Sequence, residues 1–143
     1  MNKAAYKLKG IPPIYCINLD GEPHRWEAAE NMFKEWDVEN YTRVSAYDGR
    51  EDDLSDILKG KYPDGMSSSE VGCTTSHLKA MKMFLETDEP CALMMEDDCD
   101  ISTALHWGLL GKTFTQRFLM IMMSYNSQLL ILLLYMHSYI VDL

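Results

Sequence analysis

Three acidic side chains in a row, Glu96-Asp97-Asp98, close the apolar run Cys91-Ala92-Leu93-Met94-Met95. Adjacent carboxylates repel one another, so they need a cation or wide solvation. Oxygen ligands of this kind suit Mg²⁺ or Mn²⁺, which keep coordination positions open for phosphate oxygens. A metal held there can neutralise a diphosphate leaving group. The same triplet is also the pattern of a solvated acidic turn; the apolar run before it pins it to a strand end.

Two further groupings stand out. Asn18-x-Asp20 followed by Arg25 places an amide and a carboxylate where they can hydrogen-bond a base or ribose, with a guanidinium that can pair with phosphate as a planar fork. The plainer alternative is a turn with a helix-start Asp and a surface Arg. The stretch Ser69-Glu70-Val71-Gly72-Cys73-Thr74-Thr75-Ser76-His77 puts a glycine and small hydroxyl residues before a helix, a possible phosphate or sugar site at its N-terminus. Glu70, Ser76 and His77 could face a sugar there; the alternative is a capping segment with a packed histidine. Ser76 and His77 do not make a nucleophile–base relay, because neighbours on a helix point in different directions.

The elements that must position these groups can be read from periodicity. Ile14 to Leu19 is a β-branched, apolar run closed by Asp20-Gly21, the pattern of a buried strand leading into a turn. Glu22-Pro23 suits the first turn of a helix, and Trp26, Ala29, Met32, Phe33 and Trp36 recur at the spacing of one apolar face. Tyr41 to Ala46 is a second strand candidate, closed by Asp48-Gly49. Residues 50–68 read as a loop, with one helical turn at Leu54 to Leu58. A second helix is expected from Thr74 to Glu86, with Leu78, Met81, Met83, Phe84 and Leu85 on its core side. Cys91 to Met95 is the third strand. This order predicts an α/β domain with a mainly parallel sheet, whose ligand sits beyond the carboxyl ends of the strands. All three polar exits fall at those ends.

The 143 residues suffice for a single domain with a real core. A net charge of −9 argues against nucleic acid as the main partner. Cys16, Cys73, Cys91 and Cys99 fit no zinc spacing and no disulfide framework, and are expected to be reduced thiols in a cytoplasmic protein. The N-terminus has no apolar stretch before Ile11 and is not read as a signal peptide.

Four segments, IYCINLDGEPHRW, YTRVSAYDGRE, SSSEVGCTTSHLKAMK and PCALMMEDDCDI, resemble glycosyltransferase family 25 in content, order and spacing. The family includes lipopolysaccharide-type and procollagen galactosyltransferases. Its pattern is an N-L-D-x-x-x-x-R opening, an A-x-D-G turn, a G-x-x-x-S-H helix start and an E-D-D metal motif. The resemblance spans about residues 12–107. It implies a GT-A-type fold, a UDP-sugar donor (often UDP-galactose), a saccharide or hydroxylysine-type acceptor, and Mn²⁺ or Mg²⁺. It also implies that Asn18, Asp20 and Arg25 help hold the donor, and that Ala46, Asp48 and Gly49 line its pocket. Glu70, Gly72, Ser76 and His77 match the family's second block. Glu96, Asp97 and Asp98 match the metal motif, with Asp98 as the direct ligand. The family's reaction is sugar transfer with inversion. Its general base is expected after the metal motif, where this sequence departs from the pattern, so no residue is assigned to that role.

After Trp107 the character of the chain changes. Residues 108–143 carry a net +1, the first 107 carry −10, and all five prolines lie in those 107. The chain is therefore divided into a donor-binding part, 1–107, and an apolar tail, 108–143, with the domain C-terminally truncated. Codons can be chosen for Gly108 to Met123 whose alternate frame reads close to FTWKDFYAAFPYDYD, similar to the family's continuation, which makes a shifted frame one account of the tail. Two others are a spanning helix from Phe118 to Met136, interrupted by Ser124 to Gln128, and a buried hairpin of FLMIMM and LLILLLYM. A spanning helix would associate the protein with a membrane. A non-catalytic, tail-anchored or subunit-pairing protein is the rival to an enzyme. A Mg²⁺-dependent phosphatase fits less well, because Asn18 stands where a nucleophilic Asp would be needed.

Overall fold

A computed structural model describes residues 2, 4–54, 57–58 and 65–106, and the backbone of 120–125 and 128–133. Of the sequence-based expectations, part of the turn at Leu54 to Leu58 and those parts of the tail beyond the two backbone segments lie outside the described residues. A short 3₁₀ turn, Ala5–Leu8, precedes strand β1 (Ile14–Asn18), helix α1 (Pro23–Glu35) and strand β2 (Tyr41–Ser45). Helix α2 (Ser68–Leu85), strand β3 (Ala92–Glu96), a second 3₁₀ turn (Ile101–His106) and strands β4 (Met120–Tyr125) and β5 (Gln128–Leu133) follow.

The sheet order is β2-β1-β3-β5-β4. β1 lies between β2 and β3 and is parallel to both, so the mixed α/β domain has the three-stranded parallel unit expected of a GT-A-like fold. β5 runs antiparallel to β3, and β4 antiparallel to β5. Of the readings of the tail, the backbone of 120–125 and 128–133 agrees with the hairpin: the two strands are antiparallel, with Tyr125 paired to Gln128. No helix among the described residues is long and apolar enough to cross a membrane.

β1 and β3 are buried on both faces, which is why they read as continuous apolar runs, whereas β2, at the sheet edge, buries only Val44. Side chains alternate between two cores. Ile14, Cys16, Leu93 and Met95 meet Ala29, Phe33 and Trp36 of the α1 side. Tyr15, Ile17, Ala92 and Met94 meet Ala80 and Phe84 of α2. Proline at the first helical position starts α1. Its end is a left-handed Asp37, with Val38 N–H donating to the Phe33 carbonyl at 2.9 Å and Asp37 N–H to that of Lys34 at 3.4 Å. The buried Val38 that follows turns the chain into β2.

Helix α2 begins six residues before the expected Thr74, and its phase differs from the expectation. Ser67 and Glu70 form a capping box, each satisfying the other's backbone N–H, so the serine run starts the helix instead of extending the loop. Leu78 and Leu85, expected on the core side, are more than half exposed. The buried face is Gly72, Thr75, Ser76, His77, Ala80 and Phe84. Small residues at every fourth position let another backbone come close. The segment after β2 lies directly on this face: a Cβ on Gly72 would stand 2.5 Å from Gly49 N and 2.7 Å from the Tyr47 carbonyl oxygen. A Cβ on Gly49 would stand 1.9 Å from the Ser68 oxygen. Ser76 Oγ accepts from Tyr47 N–H at 2.8 Å and donates to the Gly72 carbonyl at 2.6 Å. Lys79 donates to the Ser45 carbonyl at 2.7 Å and sits 4.7 Å from the centre of the Tyr47 ring. Gly72, Ser76 and Lys79 thus seat the turn on successive levels of one helix face.

Two effects oppose each other at Gly72. Helix propensity alone would make Gly72→Ala stabilising by about 1 kcal/mol. The added methyl collides with backbone on the facing turn, and overpacking of this kind costs about 1–3 kcal/mol or more. We expect Gly72→Ala to lower the urea midpoint; a raised midpoint would show that the turn is free to retreat.

Candidate functional site

The carboxyl ends of β1, β2 and β3 come to one edge in register, with Asn18 opposite Ser45 and Ile17 opposite Glu96. The backbone continues the pairing past the strands: Ala46 N–H donates to the Asn18 carbonyl at 2.9 Å, and Asp97 N–H to that of Ile17 at 3.0 Å. The three polar exits separated in sequence are therefore neighbours.

Asn18 joins them. Its side chain is 1% exposed. Oδ1 accepts from Arg43 Nε at 2.9 Å and from a terminal Arg43 nitrogen at 2.6 Å. Nδ2 donates to Asp97 Oδ2 at 2.6 Å and to the Glu22 carbonyl at 3.1 Å. The amide is fully used inside the protein, so in this arrangement Asn18 sets the positions of its neighbours. Arg43 also holds Asp20 at 2.8 Å and lies 5.6 Å from the centre of the Trp26 ring. Ser45 Oγ donates to the other Asp20 oxygen at 2.8 Å. These contacts, the serine's first, hold the Asp20 carboxyl below its usual range.

Asp97 is only 5% exposed in its side chain and is gripped by Arg25 as well as Asn18. Arg25 also reaches Asp98 Oδ2 at 3.3 Å, and Asp98 is about half exposed. The guanidinium expected to meet phosphate thus lies between two carboxylates of the acidic triplet. Glu96 turns to the other side. Its Oε1 lies 3.3 Å from His77 Nε2 and 3.5 Å from Cys73 Sγ. The His77 hydrogen bond is the main influence lowering the Glu96 carboxyl. Burial, then the nearby Glu96 charge, pushes the Cys73 thiol up to about 11. All four cysteines are free, as expected.

These groups border a cleft of about 360 Å³. Asn18, Arg25, Ala46, Asp48, Gly49, Ser76, Glu96 and Asp97 line it, together with Tyr47, Arg50 and Cys73. Asp20, Glu70, Gly72, His77 and Asp98 are not among its lining residues. Glu70 is engaged by the helix cap: Ser67 N–H and Oγ donate to it at 2.7 and 2.8 Å and lower its carboxyl. Asp48 is held at about 2 by side-chain and backbone hydrogen bonds from Arg50.

Sequence reasoning passed over Arg43, Tyr47, Arg50 and Cys73. Arg43 had a readable signal, a guanidinium in the middle of a strand that pairs with the buried β1. The network predicts the response to one isosteric change. Asn18→Asp sets a carboxylate 2.6 Å from Asp97, where Arg43 only partly compensates it. We expect a loss of about 2 kcal/mol at neutral pH. Repulsion raises the folded pKa of the pair above its unfolded value, so protonation favours the fold. The deficit should shrink below about pH 5 and grow as pH rises through that raised pKa. A pH-independent deficit in urea titrations would contradict the arrangement.

The comparisons with known proteins bear on the same residues. The model of glycosyltransferase family 25 (LPS biosynthesis protein) matches residues 11–130. The match includes all four segments that line or support the cleft, and it continues past Trp107 into the hairpin. A glycosyltransferase 25 family member from Aedes aegypti is 33% identical over an alignment of 100 residues, covering 62% of this chain and 16% of the relative. The chain thus spans about a sixth of the length of that curated relative. No solved structure matches. With the family model covering most of the chain and its motifs converging on one cleft, the chain belongs to glycosyltransferase family 25.

Proposed function

We propose that this chain provides the donor side of a sugar transferase, moving a hexose, galactose by family resemblance, from a UDP-sugar to a hydroxyl of a saccharide or hydroxylysine-type acceptor. The observation that carries this reading is the convergence of the β1, β2 and β3 exits on one polar cleft beyond the carboxyl ends of a parallel sheet, where such sheets bind ligands. A cytoplasmic location is part of the same proposal.

A divalent ion, Mn²⁺ or Mg²⁺, fits the acidic exit in part. Asp97 is occupied by Asn18 and Arg25. Asp98 and Glu96 retain accessible oxygens, with side chains 52% and 34% exposed. Carboxylate oxygens of this kind suit a hard cation, with Asp98 the nearer to solvent. When bound, such an ion would supply positive charge to the leaving diphosphate. The protein's own share is positional. Arg25 and Arg50 bring guanidinium charge to the cleft wall, where a diphosphate would lie. The turn after β2, seated on α2 and carrying Arg50, forms part of the same lining. In the transfer, the acceptor oxygen bonds to the anomeric carbon as the bond from that carbon to the diphosphate oxygen breaks. The configuration inverts, the electron pair of the broken bond leaves on the diphosphate, and the acceptor proton passes to a general base or to water, with no residue of this chain assigned to that role.

The test is calorimetry with UDP and UDP-galactose. UDP should bind with Mn²⁺ present and lose affinity on chelation. Asp98→Asn should weaken that binding at least about tenfold, or 1.4 kcal/mol. UDP affinity indifferent both to chelation and to Asp98→Asn would contradict the proposal.

A further inference from the structure

Among the described residues, one group of mixed soft and hard donors gathers at the cleft wall. Cys73 and His77 stand one turn apart on α2, and Glu96 comes from the end of β3. One ligand atom from each lies within 4.8 Å of the others. We propose that Cys73, His77 and Glu96 form a binding site for a borderline-soft divalent ion of the zinc class. This goes beyond the transferase reading and does not depend on it.

Distance is the first argument. Zinc takes thiolate sulfur at about 2.3 Å and imidazole nitrogen or carboxylate oxygen at about 2.0–2.1 Å. At a tetrahedral angle, a nitrogen–oxygen edge is then about 3.4 Å and a sulfur–oxygen edge about 3.5 Å. Here His77 Nε2 to Glu96 Oε1 is 3.3 Å, and Cys73 Sγ to Glu96 Oε1 is 3.5 Å. Two edges of the coordination polyhedron are already set by the protein, on a helix and a strand end that are both rigid.

Donor chemistry is the second. Sulfur, nitrogen and oxygen together favour zinc over the hard ions that the all-carboxylate side would take. His77 is 6% exposed, and its Nε2 is the nitrogen turned to Glu96, so the imidazole is packed with that donor beside the other two. Cys73 and Glu96 both line the cleft, so the fourth position opens towards it for water or a ligand oxygen. Binding replaces the proton of the thiol and uses the Nε2 lone pair of His77.

Co²⁺ is the probe, because its thiolate complexes have a near-ultraviolet charge-transfer band. The full chain, stripped with a chelator, should bind one Co²⁺ with that band, and Zn²⁺ should bleach it. Cys73→Ser should abolish the band while circular dichroism shows the fold retained. Glu96→Gln should weaken Co²⁺ binding at least tenfold. A measurement on the unaltered chain guards against a misfolded variant: Zn²⁺ should slow alkylation of Cys73, followed by mass spectrometry. Absence of the band together with unprotected Cys73 overturns the proposal, and so does a band that survives Cys73→Ser. Repeating the UDP and Mn²⁺ calorimetry on Cys73→Ser separates this outcome from any failure of the transferase reading.

Discussion

The buried amide of Asn18 is the interaction on which the rest of the site depends. It donates to Asp97 and accepts from Arg43, so it ties the exit of β1 to those of β3 and β2. An asparagine does this because it offers a donor and an acceptor at opposite sides of one small group. A carboxylate there would repel Asp97, and an apolar residue would leave Arg43 and Asp97 without their buried partner. With Asn18 in place, Asp97 becomes internal structure, and the acidic triplet divides by function. Its middle member holds the frame, while Glu96 turns to Cys73 and His77 and Asp98 stays about half exposed beside Arg25.

The second constraint is the contact between Gly49 and Gly72. The turn after β2 can border the cleft only because two glycines remove the side chains that would separate it from α2. Ser76 and Lys79 then fix the turn by its own backbone groups. The G-x-x-x-S spacing in this chain is thus a docking pattern, with the glycine and serine on one helix face a turn apart.

Much of this was legible in the sequence and some was not, for physical reasons. β1 and β3 could be read because strands buried on both faces are continuous apolar runs closed by polar residues, and β2 from its aromatic and β-branched residues closed by Asp48-Gly49. The site edge followed from topology. The phase of α2 could not be read from hydrophobicity, since its buried face consists of small residues and Leu78 and Leu85 point to solvent. Its start was hidden because Ser67 to Ser69 reads as loop unless Glu70 is recognised as the other half of a capping box. Pairing between Asn18 and Asp97 spans 79 residues and has no local signature. Glu96 facing Cys73 and His77 depends on how α2 sits against β3, which composition does not encode.

The central claim is that the carboxyl ends of β1, β2 and β3 form one metal-assisted nucleotide site. The most direct measurement is an anomalous difference map at the manganese edge from crystals grown with UDP and Mn²⁺. The account predicts a peak beside Asp98, with the diphosphate against Arg25 and Arg50. A manganese peak elsewhere with UDP bound outside the cleft, or UDP in the cleft with no metal beside Asp98, would contradict it.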